Sequence, residues 1–191
     1  MALLNAPHSP FELACAAEDF STVRQDQPVH YLFRIRAERP GPLQTTARFA
    51  MLVDEGLAAL EEADTVVVPG WQPPGGAVPP TVLEALRAAH RRGARIRRHL
   101  HGTLVLAQAR LLDGRRATTH WRRTAQLAAE CTKVWVARDV LFVDHGDVAT
   151  SGGSGAGIGL CLHLVRSDHG AAHVAQIAPR DVSQRFIVSR A

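Results

Sequence analysis

The chain has 191 residues, of which 46% are hydrophobic and 21% charged, and these values suit one globular domain with a sizeable core. No run approaches the roughly 18 consecutive apolar residues that a membrane span requires. The first residues, Met1–Pro7, lack the basic flank of a secretory signal. We therefore expect a single domain over residues 1–191, a cytoplasmic location and no membrane partner.

The net charge of +4 arises from 22 basic and 18 acidic residues, and many of the basic residues are clustered arginines. Arginine clusters bind phosphates, but no nucleic-acid motif accompanies them and aromatic residues are few. A nucleic-acid partner is therefore not expected. Cys15, Cys131 and Cys161 lie far apart, without CxxC or zinc spacing, and predict no metal site.

Hydrophobic patterns predict strands that alternate with helices along the chain. The first half contains, in order, strand Ala2–Asn5, helix Ser9–Phe20, strand Val29–Ala37, short extended pieces within Leu43–Val53, helix Asp54–Ala63, strand Asp64–Pro69 and helix Pro80–Arg92. The second half contains strand Arg95–His99, helices Gly102–Leu111 and Thr119–Glu130, strands Val134–Val136, Leu141–Val143 and Val148–Thr150, and helices Gly155–Ser167 and Gly170–Ala178. This alternation indicates a mostly parallel sheet covered on both faces.

The most informative turn lies between the strand that begins at Arg95 and the helix that opens at Gly102. In an open α/β sheet, such a turn holds a side chain above the carboxyl end of the strand, where ligands bind. A helix amino terminus at the same place favours negative charge. A nucleophile is expected at the apex, whereas this chain carries Leu100 and His101 there.

The glycine-rich run Gly152–Gly159 contains overlapping GxG patterns. It does not open a first βαβ unit and lacks the context of a dinucleotide-binding fingerprint. NAD is therefore not expected, and no other cofactor is predicted.

Taken together, these elements resemble the ThiJ/PfpI superfamily, which shares the class I glutamine-amidotransferase-like, flavodoxin-type fold. Within it, the chain is most similar to the sensor domain at the front of many AraC-type regulators and to isonitrile hydratases. The resemblance implies a flavodoxin-like three-layer α/β sandwich with a mostly parallel sheet, and a homodimer. It is carried by Pro10–Leu13 with Glu18 and Phe20, Ala63–Trp71, Leu104–Ala107, Leu111–Trp121, Asp139–Asp144, Gly146–Ser151, Leu160–Val165 and Asp168–Ala171.

Two departures from the family pattern affect the expected function. The family elbow reads roughly Cys-Thr-Gly-Ala, and aligning its glycine with Gly102 places Leu100 at the nucleophilic cysteine and His101 after it. Leucine forms no covalent intermediate, so the thiolate chemistry of the family is not expected here. The regulators continue into two helix-turn-helix units, for which the 191 residues leave no room.

Each candidate residue has a functional and a structural interpretation. Glu12 matches the acidic residue that reaches the elbow from the first helix and is predicted to hold or move a proton; it also completes a capping box that begins at Ser9. His101 is a candidate acid or base at the elbow, or it fills space above the sheet. His120 matches the family's Thr-Thr-His and lies near the nucleophile there, or it opens a helix.

Four further residues are candidates for ligand binding. Gly70 resembles the family glycine whose amide helps an oxyanion hole, or it is a turn glycine. Trp71 is a candidate pocket wall, and Leu100 and Gly102 flank the elbow. No metal site is expected from these positions, because the strand geometry that would align His99 with His101 breaks at the turn.

Three functions compete. The first, which the sequence favours, is a cofactor-independent acid–base enzyme of hydratase, lyase or isomerase type that uses Glu12, His101 and His120 on a small organic metabolite. The second is a small-molecule-binding sensor domain derived from an AraC-type regulator. The third is a catalytically inactive interaction protein.

Overall fold

One six-stranded sheet runs through the computed structural model, which describes residues 1–21, 31–73, 75–98 and 102–177. Its strands in chain order are β1 (Ala2–Leu4), β2 (Ile35–Ala37), β5 (Thr65–Val68), β6 (Arg95–Arg98), β9 (Phe142–Asp144) and β10 (Val148–Ser151). Their spatial order is β2-β1-β5-β6-β10-β9. All neighbours are parallel except β9, which is antiparallel to β10.

Helices and two small strand pairs surround this sheet. The α-helices are α1 (Pro10–Ser21), α2 (Pro80–Arg91), α3 (Thr103–Gln108), α4 (Thr124–Glu130) and α5 (Ser154–Ile177), and 3-10 helices span Leu57–Glu62 and Trp121–Arg123. The small pairs are β3 (Gly41–Gln44) with β4 (Ala50–Val53), and β7 (Arg116–Ala117) with β8 (Trp135–Val136).

The two faces of the sheet are covered by different helices, because successive side chains of a strand point to opposite faces. On one face, Leu3 and Ile96 are fully buried with Leu86 of α2 and Leu106 of α3. On the other face, α1 packs along α5. The predicted three-layer sandwich with a mostly parallel sheet is therefore confirmed.

The opposite face is built from the alternate residues of the same strands. Ala2 and Leu4 are buried with Leu13 of α1, and Ala149 of β10 is buried with Leu160 of α5. β1 and β10 thus contribute apolar side chains to both faces of the sheet, as buried parallel strands commonly do.

Most predicted elements occur, but four differ from the prediction. The predicted helix over Asp54–Ala63 is the 3-10 helix Leu57–Glu62, and the one over Thr119–Glu130 is divided into Trp121–Arg123 and α4. Within the described residues, the predicted strand Val29–Ala37 is reduced to Ile35–Ala37, and residues 29 and 30 lie outside them. The strand β7 was not predicted, because two residues are too short for a period.

The two helices predicted on either side of Gly170 correspond to α5 with an interruption. Gly170 has φ of 85° and ψ of 168°, which are not helical values. A positive φ costs glycine little because it has no Cβ, so the chain changes direction there.

None of the helices within the described ranges combines the length and the apolar character of a membrane span.

Asp147, at the turn into β10, connects three elements through its carboxylate. Oδ1 accepts hydrogen bonds from Arg115 Nη1 at 2.6 Å and from Val148 N at 2.9 Å, and Oδ2 lies 2.8 Å from Nε2 of His90 in α2. The hydrogen bond from Arg115 and the one with His90 hold the pKa of Asp147 well below its usual range. Because the carboxyl group ionises more readily in the folded state than in the unfolded chain, its ionisation increases the free energy of unfolding.

We predict that Asp147→Asn lowers the free energy of unfolding at pH 7 by about 1 kcal/mol, a modest loss because water screens this partly exposed group. A lowered folded-state pKa contributes stability above the unfolded value of about 3.9, and this contribution is lost as the pH falls through the folded-state value. The difference in the free energy of unfolding between wild type and Asp147→Asn should thus become smaller below about pH 4. Urea titrations across this range measure it, with Asp139→Asn, at an exposed turn position, as the control; an equal difference at every pH would contradict the assignment.

Candidate functional site

The order of the parallel strands defines one place where ligands are expected. Counted along the chain, the parallel strands β2-β1-β5-β6-β10 have the spatial order 2-1-3-4-5. In such a doubly wound sheet the connections leave in opposite directions on either side of the first strand, and a crevice opens between the first and third strands at their carboxyl ends. Here these strands are β1 and β5.

The segments that follow β1 and β5 are bonded to each other at this crevice. Asn5 Nδ2 donates to the carbonyl oxygen of Gln72 at 2.6 Å, and the amide of Gln72 donates to Asn5 Oδ1 at 3.4 Å. Both the NH2 group and the oxygen of the Asn5 side-chain amide are therefore hydrogen-bonded. The two connections are held together where each leaves the sheet.

Glu12 lies against Gly70 at the same edge. The Glu12 side chain belongs to the first turn of α1 and only 5% of the residue is exposed. A Cβ added to Gly70 would lie 2.8 Å from Glu12 Cδ and still closer to Oε2. Gly70 does not have a positive φ, so a side chain there meets no backbone strain, but the Glu12 carboxyl group would have to move to make room for it. Two of the predicted site residues are therefore in contact.

The elbow itself follows β6, the strand beside β5. β6 ends at Arg98 and α3 begins at Thr103, with Gly102 buried at the residue before the helix. Leu100 and His101, predicted for ligand binding and catalysis, lie outside the described residues, as does His99. Their predicted roles stay predictions.

Threonine hydroxyl groups connect the start of α3 to the segment that carries His120. Thr103 Oγ1 donates to the carbonyl oxygen of Thr118 at 2.9 Å, and the amide of Thr118 donates to Thr150 Oγ1 at 3.0 Å. All three residues are at most 1% exposed. Thr150 lies near the end of β10, and Thr103 is the first residue of α3. The two bonds therefore hold the Thr118–His120 segment beside the elbow.

His120 has a structural role that the sequence left open. It precedes the 3-10 helix Trp121–Arg123, and its Nδ1 accepts a hydrogen bond from the amide of Arg122 at 3.3 Å. Burial and the positive charges of Arg122 and Arg123 lower the pKa of His120. The ring is therefore neutral at pH 7 and carries its proton on Nε2. A capping role for Nδ1 and a site role for Nε2 are compatible.

Trp71, the predicted pocket wall, is a core residue on the face covered by α2 and α3. It is 5% exposed and packs in the same cluster as Leu86 and Leu106. The residue supports the turn from within the core, directly after Gly70.

The sequence did not single out His8, which lies between β1 and α1. His8 is 1% exposed, and burial lowers its pKa to about 4, so it is neutral at pH 7. Its amide donates to Gln44 and its carbonyl accepts from Thr46, which attaches the β3–β4 hairpin to the start of α1. Neither this contact nor those of Asn5, Thr103 and Thr150 leaves a periodic signal in the sequence.

Metal coordination gains no support from the part of the chain that the structure describes. Within those ranges, no three His, Cys, Asp or Glu side chains lie close enough together to hold a metal ion. The chemistry available at the described part of the site is that of a buried carboxyl group, backbone amides and a neutral imidazole.

Comparison with known proteins supports the same architecture. The chain is 31% identical over 160 residues to the HTH-type transcriptional regulator CdhR of Pseudomonas aeruginosa, which covers 84% of this chain and 46% of the regulator. The match thus spans less than half the length of that relative.

Solved structures at low identity show the fold. An AraC family transcriptional regulator from Pseudomonas putida superposes with a TM-score of 0.79 at 18% identity, over 93% of this chain and 96% of that one. Drosophila melanogaster DJ-1beta superposes with a TM-score of 0.79 at 20% identity, over 95% of each chain.

The family assignment rests on a match over most of the chain. Residues 19–167, which run from the end of α1 to the middle of α5, match the DJ-1/PfpI family. The strand order and the similarity to CdhR and to an AraC family regulator agree with this match. The chain belongs to the DJ-1/PfpI family.

Proposed function

We propose that this chain is a small-molecule-binding sensor domain whose ligand occupies the crevice between β1 and β5. The observation that carries the proposal is the Glu12 carboxyl group, buried against Gly70 where the strand order reverses. Support comes from its relatives, because CdhR is named as a transcriptional regulator and matches this chain over less than half its length. A sensor in such a regulator passes on the presence of a ligand.

The chemistry of the crevice defines the kind of ligand. A carboxyl group at this position accepts hydrogen bonds, and charge-assisted bonds to it are the stronger ones. We therefore expect a small organic molecule that presents an amine, amide or hydroxyl donor to Glu12.

The replacement at the elbow argues for binding over covalent chemistry. By its resemblance to the family, Leu100 occupies the place of the nucleophilic cysteine, and leucine has no lone pair with which to attack a substrate. Loss of the nucleophile removes the family's covalent step and leaves a shaped site. A sensor needs only that site.

The second candidate is the cofactor-independent hydratase, lyase or isomerase. The observation that favours it is the pairing of a buried carboxyl group with a neutral imidazole at His120 on the same edge of the sheet. Proton transfer between such groups and a substrate requires no covalent intermediate.

Homodimerisation, implied by the family, is part of both proposals and is measured by light scattering.

We predict that a screen of small metabolites with donor groups yields compounds that raise the melting temperature of the protein. At a concentration 100 times the dissociation constant, stabilisation should be about 2.7 kcal/mol. Glu12→Gln should weaken binding of each such compound at least tenfold, because an amide NH2 group replaces one of the two carboxyl oxygens that accept hydrogen bonds. Glu61→Gln, at an exposed position on the Leu57–Glu62 helix, should bind as wild type.

The same compounds distinguish the two candidate functions. Incubation followed by NMR of the mixture shows whether a compound is converted. Tight binding without conversion supports the sensor, whereas conversion that Glu12→Gln abolishes supports the enzyme. Equal binding by wild type and Glu12→Gln would contradict the proposed site.

We also predict that Gly70→Ala destabilises the protein by about 1–3 kcal/mol through its contact with Glu12. In a Glu12→Ala background the same change should cost much less, because the carboxyl group that it displaces is absent. Gly153→Ala is the matched control, since a Cβ there meets nothing within 4 Å and its φ is not positive. Denaturant titrations of the four variants measure the coupling; equal costs in both backgrounds would disprove the contact.

A further inference from the structure

A cavity lies at the opposite edge of the sheet from Glu12 and Gly70. Its volume is about 360 Å³, within the range of small-molecule sites. It is lined at the starts of three parallel strands by Met1, Thr65 and Arg95, and by Leu164 of α5. It is therefore separate from the crevice at the carboxyl ends of the strands.

Aromatic and aliphatic side chains form the walls of this cavity. The ring of Phe20 at the end of α1 meets Tyr31 edge-to-face, with centroids 5.0 Å apart. Phe33, Val67 and Leu164 complete the apolar lining. Such walls bind a hydrocarbon or aromatic body by removing its surface from water.

One pair of charges within the lining is already neutralised. Arg95 makes two bonds to the Asp168 carboxylate, Nη1 to Oδ1 at 2.5 Å and Nη2 to Oδ2 at 2.8 Å. The Tyr31 hydroxyl group donates a hydrogen bond to Asp168 Oδ2 at 3.0 Å. Arg95 Nε donates another to Thr65 Oγ1 at 3.0 Å. This group of side chains is rigid and has no net charge to offer a ligand.

Arg34 is different. It lines the cavity and is half-buried, and within the described residues its guanidinium makes no hydrogen bond or ion pair. The acidic residues of the lining outside the Arg95 pair, Glu62 and Asp64, are exposed to solvent. A half-buried guanidinium gains from an anionic partner, whereas exposed carboxylates remain hydrated.

We propose that this cavity binds a small carboxylate with an apolar body, with its carboxylate on Arg34 and its body against Phe20, Phe33 and Leu164. The guanidinium forms two parallel bonds to a carboxylate, and this geometry orients the ligand at the mouth. The site is independent of the proposed sensor crevice. One chain thus has two small-molecule sites, at opposite edges of a single sheet.

The test uses octanoate as the probe and octanamide as its neutral counterpart. Calorimetric titration of the full chain with octanoate should give saturable binding to one site, and octanamide should bind at least tenfold more weakly. Arg34→Gln should weaken octanoate binding at least tenfold, and Arg34→Lys less. Arg39→Gln, at an exposed position beyond β2 and outside the cavity lining, should bind as wild type.

The outcomes separate this site from the other. Octanoate should shift amide resonances of residues 31–34, Thr65 and Leu164, and Glu12→Gln should leave its affinity unchanged. No saturable octanoate binding, equal affinities for octanoate and octanamide, or shifts centred on Gly70 and Trp71 would each overturn the proposal. The comparison of octanoate with octanamide uses the wild-type protein, so it holds even where a variant fails to fold.

Discussion

The close approach of α1 to the turn after β5 is the constraint on which the site depends. The Glu12 carboxyl group occupies the space that a side chain at position 70 would take, so its present position depends on the absence of a side chain there. Asn5 and Gln72 hold the same two connections together through their hydrogen bonds. These contacts join the first and third strands of the sheet at the point where its strand order reverses.

On the other side of the elbow, buried threonine hydroxyl groups likewise hold neighbouring segments together. Thr103, Thr118 and Thr150 come from a helix, a loop and a strand, and each bond between them satisfies a polar group that has no access to water. The loop that bears His120 is thereby held against the start of α3. In the sensor that we propose, a ligand would meet groups whose positions are set before it binds, which would reduce the entropic cost of binding.

The two edges of the sheet differ in their electrostatics for a physical reason. At the carboxyl edge, a buried acid and a neutral histidine face a turn. At the amino edge, Arg95 and Asp168 neutralise each other, and we propose that Arg34 binds the carboxylate of a ligand. Under the two proposals the parallel strands present a hydrogen-bond acceptor at one end and a cation at the other, and the apolar residues of the strands separate them.

The sequence by itself determined the fold class and the family. Alternating strands and helices predicted a parallel sheet, and the residues around Glu12, Gly70 and Thr118–His120 carried the family resemblance. Helix and strand periodicity arises from local side-chain placement, and so it can be recognised in a single sequence. Short elements were less predictable: β7 has two residues, and the segment before α4 is a 3-10 helix, because tertiary hydrogen bonds and packing decide such pieces.

Only the tertiary structure decided which groups meet. It placed Glu12 against Gly70 across 58 positions of sequence, attached the hairpin to His8, and buried Trp71 in the core. It also formed the amino-edge cavity from α1, α5 and the starts of three strands. These contacts join residues that are distant along the chain, so no local pattern encodes them; they follow from how the layers of the sandwich pack.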